Sequence, residues 1–326
     1  MPVPEPVDPS MPVYSELPLV PGSEERHAWD VWGRHDQLGT VNFITPASVR
    51  AGARTVKEGT VVSLSAGIND TEPGLFPRRK PASHEMMATP HGRDDRLDGF
   101  YPQFGSQWDG LRHVKFRSHG YWGGRTDEDL DTTDDLGIHH WAHRGIISRG
   151  VLIDVVEHCR REGRPFGPED EFVIGVELLD DTLVAQGSEV RPGDIVLVRT
   201  GWIDWYLELG LEERFRRHGK VGAAEDAFTC PGLESSRRTA AWLWDHRVAA
   251  IVADNPAVEV MPVSRVAGFL HYRLIPLLGM PLGEMWTLKE LGDLCRSHQR
   301  YDFFVSGGVL KVPGGVGSPA SAYAVL

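Results

Sequence analysis

One short stretch, YPQFGSQWDGLRHVKF at residues 101–116, collects side chains that can do chemistry. It places Gln103, Gln107, Asp109 and His113 among four aromatic residues. A carboxylate and an imidazole four residues apart can bind a metal ion or transfer a proton. They can equally hydrogen-bond to each other across one turn of a helix. These residues alone leave that choice open.

Within this stretch, the segment QFGSQWDGLRH resembles the HxGTHxDxxxH signature of the cyclase family, which includes bacterial kynurenine formamidases and isatin hydrolases. The glycine, a hydroxyl residue (Ser106 in place of threonine), Asp109 and His113 fall at the spacing of the signature. Gln103 and Gln107 replace its two leading histidines. The chain therefore resembles a divergent subgroup of this family.

The resemblance extends over later blocks, which occur in the order typical of the family, from about residue 30 to residue 326. These blocks are GIHHWAHRGIISRGVLIDV, VRPGDIVLVRTGW, PGLESSRRTAAWLWDHRVAAIVADNPAVEV, LHYRLIPLLGMPLGEMW and VPGGVGSPASAYAVL. The fold that this implies is α/β, the swivelling β/β/α arrangement of kynurenine formamidase-like proteins, with mixed sheets flanked by helices.

The resemblance also implies a metal site. By position, Asp109, His271 and Glu284 match ligands of the family and are expected to hold one divalent ion, Mn²⁺, Zn²⁺ or Mg²⁺. Gln107 is expected to assist them. Because a glutamine oxygen is a weaker ligand than an imidazole nitrogen, the two replacements make a site with two zinc ions doubtful.

A catalytic role falls to His113, which matches the proton-transferring histidine of the signature. A bound divalent ion can lower the pKa of water to about 7. That water would attack a carbonyl carbon while His113 takes up a proton and returns it to the leaving group. The residues expected to bind the substrate, mostly aromatic and suited to a flat ring, are Gln103, Trp108, Phe104, Tyr101 and His91.

The favoured function is thus metal-dependent hydrolysis of a C–N bond in a small amide or cyclic amide. Two alternatives stay open. The same site can serve a lactone or ester hydrolase, or a cyclase or dehydratase that acts on a natural-product intermediate. Alternatively, the chain is a homologue that binds a ligand without chemistry.

Other motifs compete weakly. His139 and His143 lie four residues apart, but no carboxylate partner is apparent nearby. The acidic run DEDLDTTDD has Thr132 where a calcium loop needs glycine. No GxSxG elbow and no HExxH helix occurs, so the usual serine-hydrolase and zincin mechanisms lose their anchor.

Composition limits the partners. A net charge of −12 disfavours nucleic acid and anionic membrane surfaces, which leaves a small molecule as the expected substrate. Three widely spaced cysteines and the lack of a readable signal peptide predict a cytoplasmic protein. By resemblance to the family, we expect a homo-oligomer, either a dimer or a tetramer.

The elements that position these residues are predicted in outline. Residues 1–25 are rich in proline and predict an extended arm, followed by one α/β domain over residues 26–326. Residues 68–135 are expected to be irregular. The remaining expected elements are a helix capped by Thr45, apolar strands within 149–158, 190–202 and 248–254, and a helix that opens at Thr287.

Overall fold

One mixed sheet of nine strands dominates the structure. The computed structural model describes residues 11–221, 227–263 and 268–326. The strands in these ranges are β1 (Val61–Ser63), β2 (Ser83–Thr89), β3 (Gly92–Asp98), β4 (Gln107–Asp109), β5 (Ile146–Asp154), β6 (Val173–Ile174), β7 (Ile195–Arg199), β8 (Gly232–Leu233), β9 (Ala250–Ala253), β10 (Leu282–Glu284), β11 (Asp302–Gly308), β12 (Gly317–Pro319) and β13 (Ser321–Val325). The large sheet has the order β1-β13-β11-β5-β7-β9-β10-β4-β12, while β2 pairs with β3 and β6 with β8.

The middle of the sheet is parallel. Strands β5, β7, β9 and β10 run in the same direction, and β4 and β12 continue the sheet in antiparallel pairs. Strand β9 and the first four residues of β7 are buried throughout, as expected for apolar strands covered on both faces. The covering helices are α1 (Pro46–Ala53), α2 (Asp127–Thr132), α3 (His139–Arg144), α4 (Val155–Arg161), α5 (Val176–Gln186), α6 (Trp202–Glu208), α7 (Leu211–Arg217), α8 (Arg237–Asp245), α9 (Leu270–Tyr272) and α10 (Lys289–His298).

The prediction of an irregular segment over residues 68–135 is only partly right. Strands β2 and β3 form a hairpin with almost every residue exposed, and β4 joins the main sheet. The hairpin strands carry charged and polar side chains on both faces. Because no apolar alternation marks them, the sequence pattern gives no signal for strands there.

Helix boundaries agree in one place and differ in two. Thr45 caps α1 by accepting the N–H of Ser48, as predicted. The strand predicted over residues 149–158 ends at Asp154, whose side chain caps α4. The helix predicted to open at Thr287 begins two residues later, because the N–H of Thr287 donates to the carbonyl of Leu64 in a bridge to the sheet.

The described part of the predicted N-terminal arm packs against the body of the protein. Within residues 11–25, Leu17 and Val20 are buried in the main hydrophobic core. Glu25 forms a buried ion pair with Arg273, with Oε1 2.8 Å from Nη2. Residues 1–10 of the arm lie outside the described residues. The predicted boundary at residue 25 therefore does not coincide with a loss of packing.

The α/β class predicted from the sequence is confirmed by this arrangement of helices around a mixed sheet. No helix in the described ranges is both long enough and apolar enough to cross a membrane.

Candidate metal centre

Strands β4 and β10 bring three polar side chains together near one end of the main sheet. They are antiparallel neighbours, with Glu284 opposite Gln107 and Leu282 opposite Asp109. Because side chains alternate along a strand, Gln107 and Asp109 share one face and Trp108 points to the other. Gln107, Asp109 and Glu284 are all buried. The register of two short strands thus places a carboxamide and two carboxylates side by side.

A histidine reaches the same place from a separate segment. His271 lies on the short helix α9, followed by a π-helical turn over Arg273–Leu278 that leads towards β10. The Nε2 atom of His271 is 3.1 Å from Oε1 of Glu284 and 3.7 Å from Oδ2 of Asp109. We call Asp109, His271 and Glu284 the ligand group.

Glu259 orients His271 from behind. Its Oε1 atom lies 2.6 Å from Nδ1 of His271, and the carboxylate is completely inaccessible to solvent. The other oxygen accepts the hydroxyl of Ser235 and the backbone N–H of Leu270. Because a carboxylate accepts hydrogen bonds, Nδ1 carries a proton and Nε2 is the ring nitrogen that faces Asp109 and Glu284.

The ligand group fits one divalent metal ion. One donor atom from each of the three side chains lies within 4.8 Å of the other two. The Oδ2 atom of Asp109 is buried without a hydrogen-bond partner, which costs free energy unless another group meets it. Two carboxylates and an imidazole supply donors that suit Zn²⁺ or Mn²⁺, and three protein ligands with an open position are typical of catalytic zinc sites.

The two glutamines that replace signature histidines both donate hydrogen bonds to this group. Nε2 of Gln107 lies 2.6 Å from Oε2 of Glu284 and 3.1 Å from Oδ1 of Asp109. Gln103 also donates to Oδ1 of Asp109. The oxygen of Gln107 accepts from Nη1 of Arg79 at 3.2 Å. In this network Gln107 directs its nitrogen towards the carboxylates, and its role as a metal ligand stays a prediction.

His113, the predicted catalytic residue, lies beside the ligand group. Its Nε2 atom is 3.6 Å from Oδ2 of Asp109, and its side chain is 23% exposed. Asp109 ends strand β4, and the N–H of His113 closes a turn on the carbonyl of Gly110. The alternative of a hydrogen bond across one helical turn therefore does not describe this pair. His113 instead connects the buried group with solvent.

The charges of the ligand group shift its pKa values in opposite directions. Burial and repulsion from Asp109 raise the pKa of Glu284 to about 7. Burial also acts to raise the pKa of Asp109, but His113 and His271 outweigh it and lower this pKa to about 2. The hydrogen bonds and charges of the surrounding carboxylates overcome burial and raise the pKa of His271 well above its usual value. The raised pKa values of Glu284 and His271 both reflect the negative charge of the clustered carboxylates, which a bound cation would offset in place of the Nε2 proton of His271.

The pKa of His113 moves the other way. Burial lowers it, and the nearby positive charges of His271 and Arg79 add to this effect, while Asp109 opposes it. The imidazole is consequently neutral near pH 7 and able to accept a proton, as a general base must.

Of the predicted substrate-binding residues, Gln103 contacts the ligand group and Trp108 does not. Trp108 is fully buried on the opposite face of β4, where it packs edge-on against Trp286 with ring centroids 4.9 Å apart. The structure thus does not bring Trp108 into the site. The reason is the two-residue period of the strand, which sends the side chain between Gln107 and Asp109 into the core.

The other three predicted substrate-binding residues lie at different depths. Phe104 is buried and Tyr101 is 40% exposed, both in the segment that leads into β4. His91 lies in the exposed turn between β2 and β3. Among the described residues, no hydrogen bond, ion pair or ring contact joins His91 to the ligand group. Its role as a binding residue stays a prediction.

Sequence reasoning missed two residues that contact the site. Glu259 lies within the block NPAVEV, where a carboxylate inside an apolar run is a usable signal. Arg79 donates from Nη1 to the Gln103 carbonyl at 2.5 Å as well as to Gln107. Nothing in the surrounding FPRRKP distinguishes Arg79 from its neighbours.

The competing motifs have other roles. His139 and His143 lie on α3 with ring centroids 6.0 Å apart. The acidic run forms α2, capped by Thr126. Within the described ranges, the ligand group is the one set of three histidine, cysteine or carboxylate side chains close enough to hold an ion.

Comparison with known proteins identifies the family to which this fold belongs. The sequence model of the Cyclase family matches residues 10–260. A crystal structure described as a novel cyclase is 29% identical, with a TM-score of 0.80 over 92% of this chain and 97% of that one. An isatin hydrolase bound to the product analogue thioisatinate is 14% identical, with a TM-score of 0.59 over 87% and 99% of the two chains.

A third similar structure, isatin hydrolase A from Labrenzia aggregata bound to benzyl benzoate, is 14% identical with a TM-score of 0.58 over 81% and 93% of the two chains. Among curated proteins, none matches this sequence. A fold of this kind, with acidic and histidine side chains gathered near one end of its sheet, indicates an enzyme. The chain belongs to the Cyclase family, which confirms both the resemblance and the fold inferred from the sequence.

Proposed function

We propose that this protein is a metal-dependent hydrolase that cleaves the C–N bond of a small amide or cyclic amide. The observation that carries the proposal is the convergence of Asp109, His271 and Glu284 from three separate segments. The unpartnered buried oxygen of Asp109 adds to it. A similar fold in an enzyme that hydrolyses isatin, a cyclic amide, supports the choice of bond.

Asp109, His271 and Glu284 are the residues that would hold the ion. When bound, it supplies a Lewis acid and a water molecule of lowered pKa. His113, neutral near pH 7, accepts a proton at Nε2 and donates it to the leaving nitrogen. Glu259 keeps the Nδ1 proton of His271 in place, so that Nε2 of His271 stays directed at the two carboxylates.

Metal removal tests this proposal. Protein purified without chelators is expected to contain about one divalent ion per chain, as measured by inductively coupled plasma mass spectrometry. Dialysis against a chelator should abolish turnover of an amide panel, and Mn²⁺, Zn²⁺ or Mg²⁺ should restore it. A His143→Ala variant, altered outside the ligand group, serves as the control and should behave as wild type. Full turnover by demonstrably metal-free protein contradicts the mechanism.

A second candidate keeps the same residues but changes the bond, to that of a lactone or ester. The observation that favours it is the similar isatin hydrolase A whose structure holds benzyl benzoate, an ester. Matched amide and ester substrates with the same acyl group separate the two candidates. Turnover of esters with amides untouched would reverse their order.

We further propose that the protein acts as a homo-oligomer on a small molecule rather than on nucleic acid. The exposed hairpin of β2 and β3 supports the oligomer, because its apolar side chains Met86 and Leu97 are 62% and 41% exposed in the single chain. Light scattering coupled to size-exclusion chromatography measures the mass directly. A monomeric mass at micromolar concentration contradicts the oligomer.

A further inference from the structure

Arg79 is a cation at the edge of the site. Among the described residues, it makes no hydrogen bond or ion pair with Asp109, His271 or Glu284. Its guanidinium stacks over the ring of Phe76, with Cζ 4.5 Å from the ring centroid. Nη1 is used twice, by the carbonyl of Gln103 and by Oε1 of Gln107. One face and one nitrogen of the planar group are therefore fixed by the protein.

The rest of the guanidinium is free to bind a ligand. Among the residues that the structure describes, Nε and Nη2 of Arg79 make no hydrogen bond, and no carboxylate lies within ion-pair distance. The amide of Gln107 separates Arg79 from Asp109 and Glu284, because its oxygen faces Arg79 and its nitrogen faces them. Within the described residues, Arg79 therefore forms no direct ion pair with Asp109 or Glu284.

This geometry selects a class of ligand. A guanidinium held by Nη1 presents its Nε and Nη2 edge as two parallel donors, which match the two oxygens of a carboxylate. A neutral amide in the same place would accept at only one oxygen. Stacking on Phe76 restricts rotation of the group, so that little conformational entropy is lost when an anion binds.

We propose that Arg79 binds a carboxylate of the substrate, and that the protein therefore acts on small amides that carry a carboxylate group. The bond that is cleaved rests on the function proposed above, whereas the anion site rests on Arg79 alone. Gln103 and Gln107 connect the two, since both contact Asp109 and Arg79.

Binding of two matched probes tests the anion site without requiring turnover. The probes are 2-acetamidobenzoate and its neutral counterpart 2-acetamidobenzamide, titrated into the Mn²⁺-loaded protein by ligand-observed NMR. The wild type should bind the carboxylate about tenfold or more tightly than the amide, the usual scale for hydrogen bonds to a charged group. Arg79→Gln should remove this preference while the metal content stays near one ion per chain.

Two further variants define the comparison. Arg78→Gln removes the neighbouring exposed arginine and should keep the full preference. Arg79→Lys keeps the charge but loses the two parallel donors, and should retain only part of it. Equal binding of the two probes by the wild type, no binding of the carboxylate, or a preference that survives in Arg79→Gln would overturn the proposal.

The outcomes also separate this inference from the proposed function. A preference for the carboxylate probe without turnover of amides supports the anion site and contradicts only the proposed hydrolase function. Turnover of neutral amides without a preference for the carboxylate probe contradicts only the proposed anion site.

Discussion

Two buried clusters of charged side chains in this protein differ in how completely they are paired. The first is the ligand group with Glu259, where three carboxylates surround one imidazole. The second, which we call the Arg149 cluster, contains Arg149 on β5, Asp194 before β7 and Asp302 at the start of β11.

Pairing in the Arg149 cluster is complete. Arg149 donates from Nε and Nη2 to the two oxygens of Asp194, at 3.0 and 2.6 Å. Its Nη1 reaches Asp302 at 3.2 Å, and the backbone N–H of Arg191 supplies Asp194 with a further bond. Every charged atom of Arg149 and Asp194 has a partner, as a structural ion pair requires.

Burial is therefore not what distinguishes the candidate metal centre from the Arg149 cluster, since Asp109 and Asp194 are each 1% exposed. The difference is that three carboxylates surround one imidazole there, and Oδ2 of Asp109 has no hydrogen bond, only the imidazoles of His113 and His271 at 3.6 and 3.7 Å. We expect the fully hydrogen-bonded cluster to serve the fold and the incompletely hydrogen-bonded one to bind a ligand. The following predictions test this distinction.

The largest effect is expected for Asp109→Asn. It removes a ligand and the unpartnered charge together, so metal content should fall far below one ion per chain and turnover by about 10³-fold or more. In chelator-treated protein its free energy of unfolding should be equal to or above that of wild type, because repulsion with Glu284 is relieved. Metal analysis, steady-state kinetics and urea unfolding measure these quantities. If the variant is strongly destabilised but still binds metal, Asp109 has the same structural role as Asp194, and the distinction between the two clusters is wrong.

Asp194→Ala is expected to lower the stability of the fold without changing the metal content, the reverse of Asp109→Asn. It leaves Arg149 buried with one partner fewer, which typically costs about 3–5 kcal/mol of unfolding free energy. Metal content per folded chain should not change. Arg191→Ala is the matched control, since its exposed pair with Glu189 contributes less than about 1 kcal/mol. Urea unfolding with metal analysis decides between these outcomes.

A smaller effect is expected for Glu259→Gln, which keeps the shape of the side chain and removes its charge. The affinity for Mn²⁺ or Zn²⁺ should fall by about 10–100-fold, the usual range for a carboxylate that orients a histidine ligand. Competition with a chromophoric chelator measures it. Ser235→Ala removes one hydrogen bond to Glu259 and should cost less. Unchanged affinity in Glu259→Gln would show that this carboxylate only fills space.

Asp204 provides the test with the smallest expected effect, because it has a buried oxygen without a hydrogen bond and makes no ion pair or hydrogen bond with a histidine among the described residues. Burial and the charge of Asp254 raise the pKa of Asp204 to about 7. The folded state therefore binds this proton more tightly than the unfolded state. Its contribution to stability is fully present below pH about 4 and is lost as the pH rises towards 7.

Asp204→Asn should consequently be more stable than wild type at pH 8 and not at pH 4. Because the side chain keeps some contact with solvent, we expect a gain of about 1–2 kcal/mol rather than the roughly 4 kcal/mol of the full shift. Urea unfolding at the two pH values measures the difference. Loss of metal in this variant would show that an unpartnered oxygen alone marks a metal site.

The sequence allowed much of the fold and part of the site to be predicted. The apolar strands of the sheet centre and the cap at Thr45 have local signals, and the structure has both. The convergence of Asp109 with His271 and Glu284 followed from the family resemblance, since no local pattern brings residues that far apart together.

Other features depend on contacts that only the folded chain defines. The position of Trp108 next to Asp109 predicts a place in the substrate pocket, but a strand directs neighbouring side chains to opposite faces. The hairpin of β2 and β3 has polar side chains on both faces and gives no periodic signal. Arg79 contacts Gln107 across 28 positions of the chain, a distance that no spacing rule reaches.

The contact between Arg79 and the carbonyl of Gln103 closes a loop whose two ends are 24 positions apart. The exposed hairpin projects from that closed base. Residues 83–98 therefore project from a fixed base rather than from a free tether, which suits a surface that contacts another copy of the chain.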